Sequence, residues 1–220
     1  MSMAPPAVVE EDGTSVDMSL FNERLRRQQY RQDLHDHRYH TDIYVLPKAK
    51  RLTHLVLHHC KYVSSLYGIL NTPNIEEILP YDVELRNKVK RLSTDGLIIC
   101  LSMANICAKH LPGSFATMPW RIDQSKDAMI EAIGKMAKTI EDIDHMGQTN
   151  PLGELWSEAM MLFSTYVSCL RLVGTPFWTV TETIEDRLLG VEAKHIWHNN
   201  YFDEIERLME EYDSERIING

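Results

Sequence analysis

Residues 95–110 read DGLIICLSMANICAKH, and Leu97, Ile98, Ile99, Cys100, Leu101, Met103, Ala104, Ile106 and Cys107 leave the stretch almost no solvated face. A helix this apolar is buried among other elements. At 100° per residue its polar members, Arg91, Asp95, Ser102, Asn105 and Lys109, fall on one narrow stripe, the side from which a ligand or another helix can approach. Residues 154–173 repeat the design. Glu154, Glu158, Thr165 and Ser168 stand 63 positions after Arg91, Asp95, Ser102 and Asn105, with Met160, Met161, Leu162, Phe163, Tyr166 and Val167 around them. The chain reads as a duplication.

Each apolar helix has an amphipathic partner before it. Residues 48–70 carry Leu52, Leu55, Val56, Val63 and Leu66 on one side and His54, His58, Lys61 and Ser65 on the other. Residues 127–146 carry Met129, Ile130, Ile133, Met136, Ala137, Ile140 and Ile143 against a stripe of Glu131, Lys135, Lys138, Asp142 and His145, whose first members lie 77 positions after His54, His58 and Lys61. The expected fold class is therefore all-α: a four-helix core from a duplicated helix pair, with pseudo-repeats 48–111 and 127–173 and polar stripes meeting between the pairs. No strand pattern, glycine-rich phosphate loop or nucleophile elbow appears.

Outside this core, residues 1–17 mix Pro, Gly and acids without an apolar period and read as a disordered tail; residues 18–220 read as one helical domain. Phe21, Leu25, Tyr30 and Leu34 mark an amphipathic helix that breaks at residues 41–47. It ends in Asp33, His35, Asp36, His37, His40 and Asp42, which at these spacings point several ways and read as a solvated face. Met118, Pro119 and Trp120 fall in a linker between the halves and are expected to pack across the helices. Residues 181–189 and 200–217 read as further helices, the second with Phe202, Ile205, Leu208, Met209 and Tyr212 on one side and acids facing solvent.

Composition narrows the function. Lys and Arg total 23 against 32 Asp and Glu, a net charge of −9, which repels phosphate backbones and argues against general nucleic-acid or anionic-membrane binding. Cys60, Cys100, Cys107 and Cys169 sit in apolar helical segments without zinc-site spacing, as reduced core residues of a cytoplasmic protein do. No apolar run has the length of a bilayer span, and the N-terminus lacks the basic start and apolar centre of a signal peptide. The partner classes left are a nucleotide, a protein or a second copy of this chain.

Carboxylates projecting from facing helices can bind a divalent cation, and oxygen-only sets favour magnesium or manganese. The candidates are Asp95, Glu131, Glu154 and Glu158, with Asp142 and His145 further along. TDGLIICLSMANICAKHLPG resembles the second helix of the MazG-like all-α nucleoside triphosphate pyrophosphohydrolases from its Asp onward, and IEAIGKMAKTIE resembles their first. The resemblance spans roughly residues 48–173. It implies a magnesium-dependent enzyme releasing pyrophosphate from a nucleotide, with Asp95, Glu131, Glu154 and Glu158 as metal ligands and Glu158 and Lys135 in catalysis. Lys138 or Lys61 offers the same charge balance as Lys135.

The family pattern of EExxE followed by ExxD is incomplete here. Glu131, Ala132 and Lys135 stand where three acids belong, Leu92 precedes Asp95 where a Glu belongs, and Glu154 is followed by Ser157 and then Glu158. Loss of carboxylates removes catalysis without removing a fold. The alternative reading is a non-catalytic helical interaction or regulatory protein whose stripes form a polar network or a groove. A third reading is a histidine-and-carboxylate metal site from His54, His58, Asp95, Glu158, Asp142 and His145. His54 and His58 share a helix face, but no Glu follows the first as in zinc proteases, and they read as facing a polar groove or a partner.

Overall fold

The computed structural model describes residues 8–9, 15–114, 121–145 and 150–219. Nine α-helices are present among them: α1 (Met18–Tyr39), α2 (Thr41–Tyr44), α3 (Lys48–Leu70), α4 (Ile75–Ile78), α5 (Val83–Cys107), α6 (Ile122–Asp144), α7 (Pro151–Leu172), α8 (Val180–Glu192) and α9 (His198–Asn219). The fold is all-α. A two-residue antiparallel pairing of Val8–Val9 with Ser15–Val16 precedes α1, and Val16 is buried. Residues 1–7 and 10–14 of the region read as a tail, and the linker residues Met118, Pro119 and Trp120, lie outside the described residues.

Local chemistry sets the helix ends. The Asp17 carboxylate accepts from the Ser19 and Leu20 amides at the start of α1, and Asp82 accepts from the Leu85 amide at the start of α5. α7 opens on Asn150, which accepts from the Gly153 amide, with Pro151 in the first turn where its missing N–H costs nothing. The sequence places the end of α5 at Leu111, but the helix stops at Cys107: Ala108 turns left-handed at φ 54° and the Lys109 amide bonds back to the Ala104 carbonyl.

Helices α3, α5, α6 and α7 pack on one another as the expected four-helix core. Leu97, Cys100, Leu101, Met103 and Ala104 of α5 meet Leu162, Phe163, Tyr166 and Val167 of α7 in one continuous apolar cluster. Burying side chains of this size contributes roughly 1.5–3 kcal/mol each. Gly96 sets the close approach of these two helices, because a Cβ there would stand 2.4 Å from the Tyr166 ring. The Tyr166 hydroxyl hydrogen-bonds His59 Nδ1 at 3.1 Å, and burial pushes the His59 imidazole down to about 3, so it is neutral in the core.

One expectation about the core is corrected. The polar stripe of α5 does not meet the second half; α1 and α8 cover it. Gln29 Nε2 donates to Asn105 Oδ1 and to the Lys109 carbonyl, and Asn105 Nδ2 donates to the Gln29 carbonyl. Ser102 meets Gln32 and Asp36, and Asp95 meets Arg187. A stripe in a buried helix needs hydrogen-bond partners, and glutamines and an aspartate of α1 supply them. In α7 the Thr165 and Ser168 hydroxyls bond to carbonyls of their own helix, at Met161 and Ser164.

The outer layer is fastened by charge. Arg31 of α1 is fully buried between Glu192 of α8 and Glu206 of α9, at 2.8 Å from each, and His35 Nδ1 lies 3.2 Å from the other Glu192 oxygen. Burial alone would raise the Glu192 carboxyl, but the His35 hydrogen bond and the Arg31 charge outweigh it and hold the group below the usual range. Arg24, Arg27 and Arg38 continue the row with Glu182, Glu185, Asp213 and Glu204. The acids of α9, expected to face solvent, include Glu204, Glu206 and Asp213 in these pairs. No described helix is long and apolar enough to cross a membrane.

Candidate functional site

A cavity of about 490 Å³ opens where α1, α2, α3, α5 and α8 converge. That volume suits a small organic ligand. His54 and His58 of α3 stand one turn apart on its wall, with ring centroids 4.5 Å apart. Asp95 and Ser102 of α5 enter from the stripe described above, Gln32, His35 and Asp36 come from α1, and Arg187 comes from α8. The groove expected at His54 and His58 is present.

The cluster at the end of α1 is solvated only in part: His37, His40 and Asp42 are exposed, as the spacing suggests, but His35 is buried. His35, Asp36, His40 and Asp42 line the cavity. α1 packs against α5, where Asp36 accepts from Ser102, and the chain then turns at His40 into the short α2. Burial pushes the His40 and His58 imidazoles down to about 4 and raises the Asp36 carboxyl. The imidazoles are therefore neutral at neutral pH. Arg187 grips Asp95 through two donors, Nε to Oδ1 at 2.6 Å and Nη2 to Oδ2 at 3.2 Å.

A second cavity, about 230 Å³, lies on the other helix pair and holds Glu131, Lys135 and Glu158. It shares no lining residue with the first. The correspondence between the two is nonetheless close. Arg51, His54, Leu55 and His58 line the first, and Ala128, Glu131, Ala132 and Lys135, each 77 positions later, line the second. Asp95 and Ile98 are matched in the same way by Glu158 and Met161, 63 positions later. Six positions lining the first pocket thus have their sequence counterparts among the residues lining the second.

The four carboxylates expected to share a magnesium ion are divided. Asp95 faces the first cavity and is held by Arg187; Glu131 and Glu158 face the second, with the Lys135 ammonium 2.6 Å from Glu131 and 3.7 Å from Glu158. Glu154 accepts a hydrogen bond from Thr139 at 3.1 Å. Burial raises the Glu158 carboxyl while Lys135 opposes it, and the hydrogen bond to Glu131 raises the Lys135 ammonium. Asp142 pairs with Lys138, and His145 is exposed. Among the described residues no three His, Cys, Asp or Glu side chains are placed to hold a metal ion. The arrangement does not fit a shared magnesium site, nor the histidine-and-carboxylate centre.

Sequence reasoning missed Gln32, Arg187 and the role of Asp36. Gln32 and Arg187 sit in helices whose periodicity marks only their apolar sides. The available signal was indirect: a polar stripe on a buried helix demands partners from elsewhere in the chain. The chain matches no known family model, no curated protein and no solved structure.

Proposed function

We propose that the protein is a non-catalytic helical binding protein that takes a small ligand in its first-half cavity, while Glu131 and Glu158 of the second half are bridged by the protein's own lysine. The observation that carries this reading is the position of Lys135 between Glu131 and Glu158. An ammonium there supplies the positive charge that a metal would supply in a hydrolase, and it activates no water. The open cavity on the other helix pair, with polar groups set in a largely apolar wall, is left as the place where a ligand fits.

The test is direct. Purified protein is incubated with each common nucleoside triphosphate and magnesium, and pyrophosphate is measured; thermal melts are recorded with magnesium and with chelator. The expected result is no pyrophosphate and the same melting temperature in both buffers. Pyrophosphate release that disappears in Glu158→Gln overturns the proposal in favour of the second reading, a magnesium-dependent pyrophosphohydrolase. That reading draws on Glu131 and Glu158 sharing one cavity with a lysine exposed enough for a cation to displace it.

A further inference from the structure

We propose that the first-half cavity binds a small organic cation through a primary ammonium group, received by Gln32 and Asp36. This rests on the reading of that cavity as a ligand site and names what the site takes. The orientation of Gln32 is the first argument. Its Nε2 donates to Asp36 Oδ1 at 2.8 Å and to Ser102 Oγ at 3.0 Å, and an acceptor-only carboxylate requires the nitrogen on that side. Gln32 is 2% exposed, lines the cavity, and its Oε1 has no hydrogen-bond partner. A buried carbonyl without a donor is costly, and a ligand N–H relieves the cost.

Asp36 is the second argument. Its Oδ2 accepts from the Ser102 hydroxyl at 2.7 Å and its Oδ1 from Gln32, yet it makes no ion pair among the described residues. Arg187 is held by Asp95, and the Arg51 guanidinium, 4.4 Å over the Tyr44 ring, makes no ion pair with Asp36 although its charge acts on it. With Asp95 and Arg187 paired, Asp36 and Asp42 face the single charge of Arg51 on the wall, an excess of acid to which neutral His40 and His58 add no positive charge. His58 Nδ1 is a further buried polar atom without a partner. A carboxylate and a carbonyl side by side, with several lone pairs unused, suit a group with three N–H donors and a positive charge.

The apolar wall agrees. Leu55, Ile98, Ile99 and Ile106 offer a surface to an alkyl chain. The chain's net charge of −9 attracts cations and opposes phosphates.

Titration calorimetry on the full chain at neutral pH tests this with butylamine and putrescine beside butanol and butanediol, their hydroxyl counterparts, and tetramethylammonium, which has charge but no N–H. The expected result is that an amine binds and that its hydroxyl counterpart and tetramethylammonium bind at least about tenfold more weakly, a difference of about 1.4 kcal/mol. Asp36→Asn, which keeps the shape and a partner for Ser102, should lose the preference for the amine. Equal binding of amine and alcohol in the parent protein overturns the proposal, and this needs no variant. So does amine binding unchanged in Asp36→Asn, or binding of a nucleoside triphosphate where the amines do not bind. Binding of nicotinamide without the amines would overturn the ammonium assignment and leave the ligand-site reading standing; pyrophosphate release from nucleotides would sink that reading by itself.

Discussion

Arg187 and Asp95 lie 92 positions apart in the chain and face each other across the first cavity with two hydrogen bonds, at 2.6 and 3.2 Å. The Asp95 side chain is only 11% exposed, so its charge has little help from water. Arg187→Ala leaves that carboxylate unpaired and should cost about 3 kcal/mol of stability. Arg187→Leu combined with Asp95→Asn should cost less than Arg187→Ala alone. Urea unfolding measures both; equal midpoints for Arg187→Ala and the parent would show that the pair carries no weight.

Glu158→Gln should lower the melting temperature slightly and by the same amount with magnesium and with chelator, because its partner is Lys135 rather than an ion. A drop confined to the magnesium buffer would contradict the lysine assignment. The comparison needs only thermal melts.

Gly96→Ala places a methyl group 2.4 Å from the Tyr166 ring, inside any tolerable contact. The expected loss is about 1–3 kcal/mol, as for other overpacked cores, together with weakening of the bond from Tyr166 to His59. Chemical denaturation gives the size. Unchanged stability would mean that α5 and α7 are not in the close contact described.

Acid should destabilise the fold before any carboxylate is protonated in bulk. His40 and His58 are lowered to about 4 and His59 to about 3, all by burial, while the unfolded chain's histidines titrate near 6.5. Between pH 6.5 and about 4 the unfolded state therefore holds more protons than the native state, and stability falls as pH falls through that window. Asp36, raised by burial, acts in the opposite direction and reduces the loss without removing it. A melting temperature flat from pH 7 to pH 4.5 would contradict neutral, buried imidazoles.

Thiol reagents should find Cys60 first. Cys100 and Cys169 are fully enclosed, Cys107 nearly so, and burial raises Cys107 to about 11 and Cys169 to about 12, far from the reactive thiolate form. Counting labels against time by mass spectrometry checks the order; early modification of Cys100 would contradict the core.

The helices were legible because their apolar positions recur at helical spacing: Leu52, Leu55, Val56, Val63 and Leu66 mark α3, and the long apolar run marks α5. Their partners in space were less so. The sequence pairs His54 with Glu131 and Asp95 with Glu158, and these do line matching cavities. It says nothing, however, of which face turns toward α1 or α8. Asp36 reads as solvated because its neighbours on α1 are polar, and only the packing of α1 against α5 brings it to Ser102. Lys135 was visible as a lysine near acids, but its place between Glu131 and Glu158 depends on how α6 lies against α7.

The arginine row of α1 also bears on the order in which the chain can assemble. Arg24, Arg27, Arg31 and Arg38 find their acids between 158 and 186 positions downstream, on α8 and α9. On the ribosome, α1 emerges ahead of the other helices described, yet its charges stay uncompensated until α8 and α9 have been made. The core of α3, α5, α6 and α7 needs none of those partners and is complete in sequence before α8 begins. Synthesis therefore delivers the four core helices before the two that close over them, and the first helix made is among the last to be fully secured.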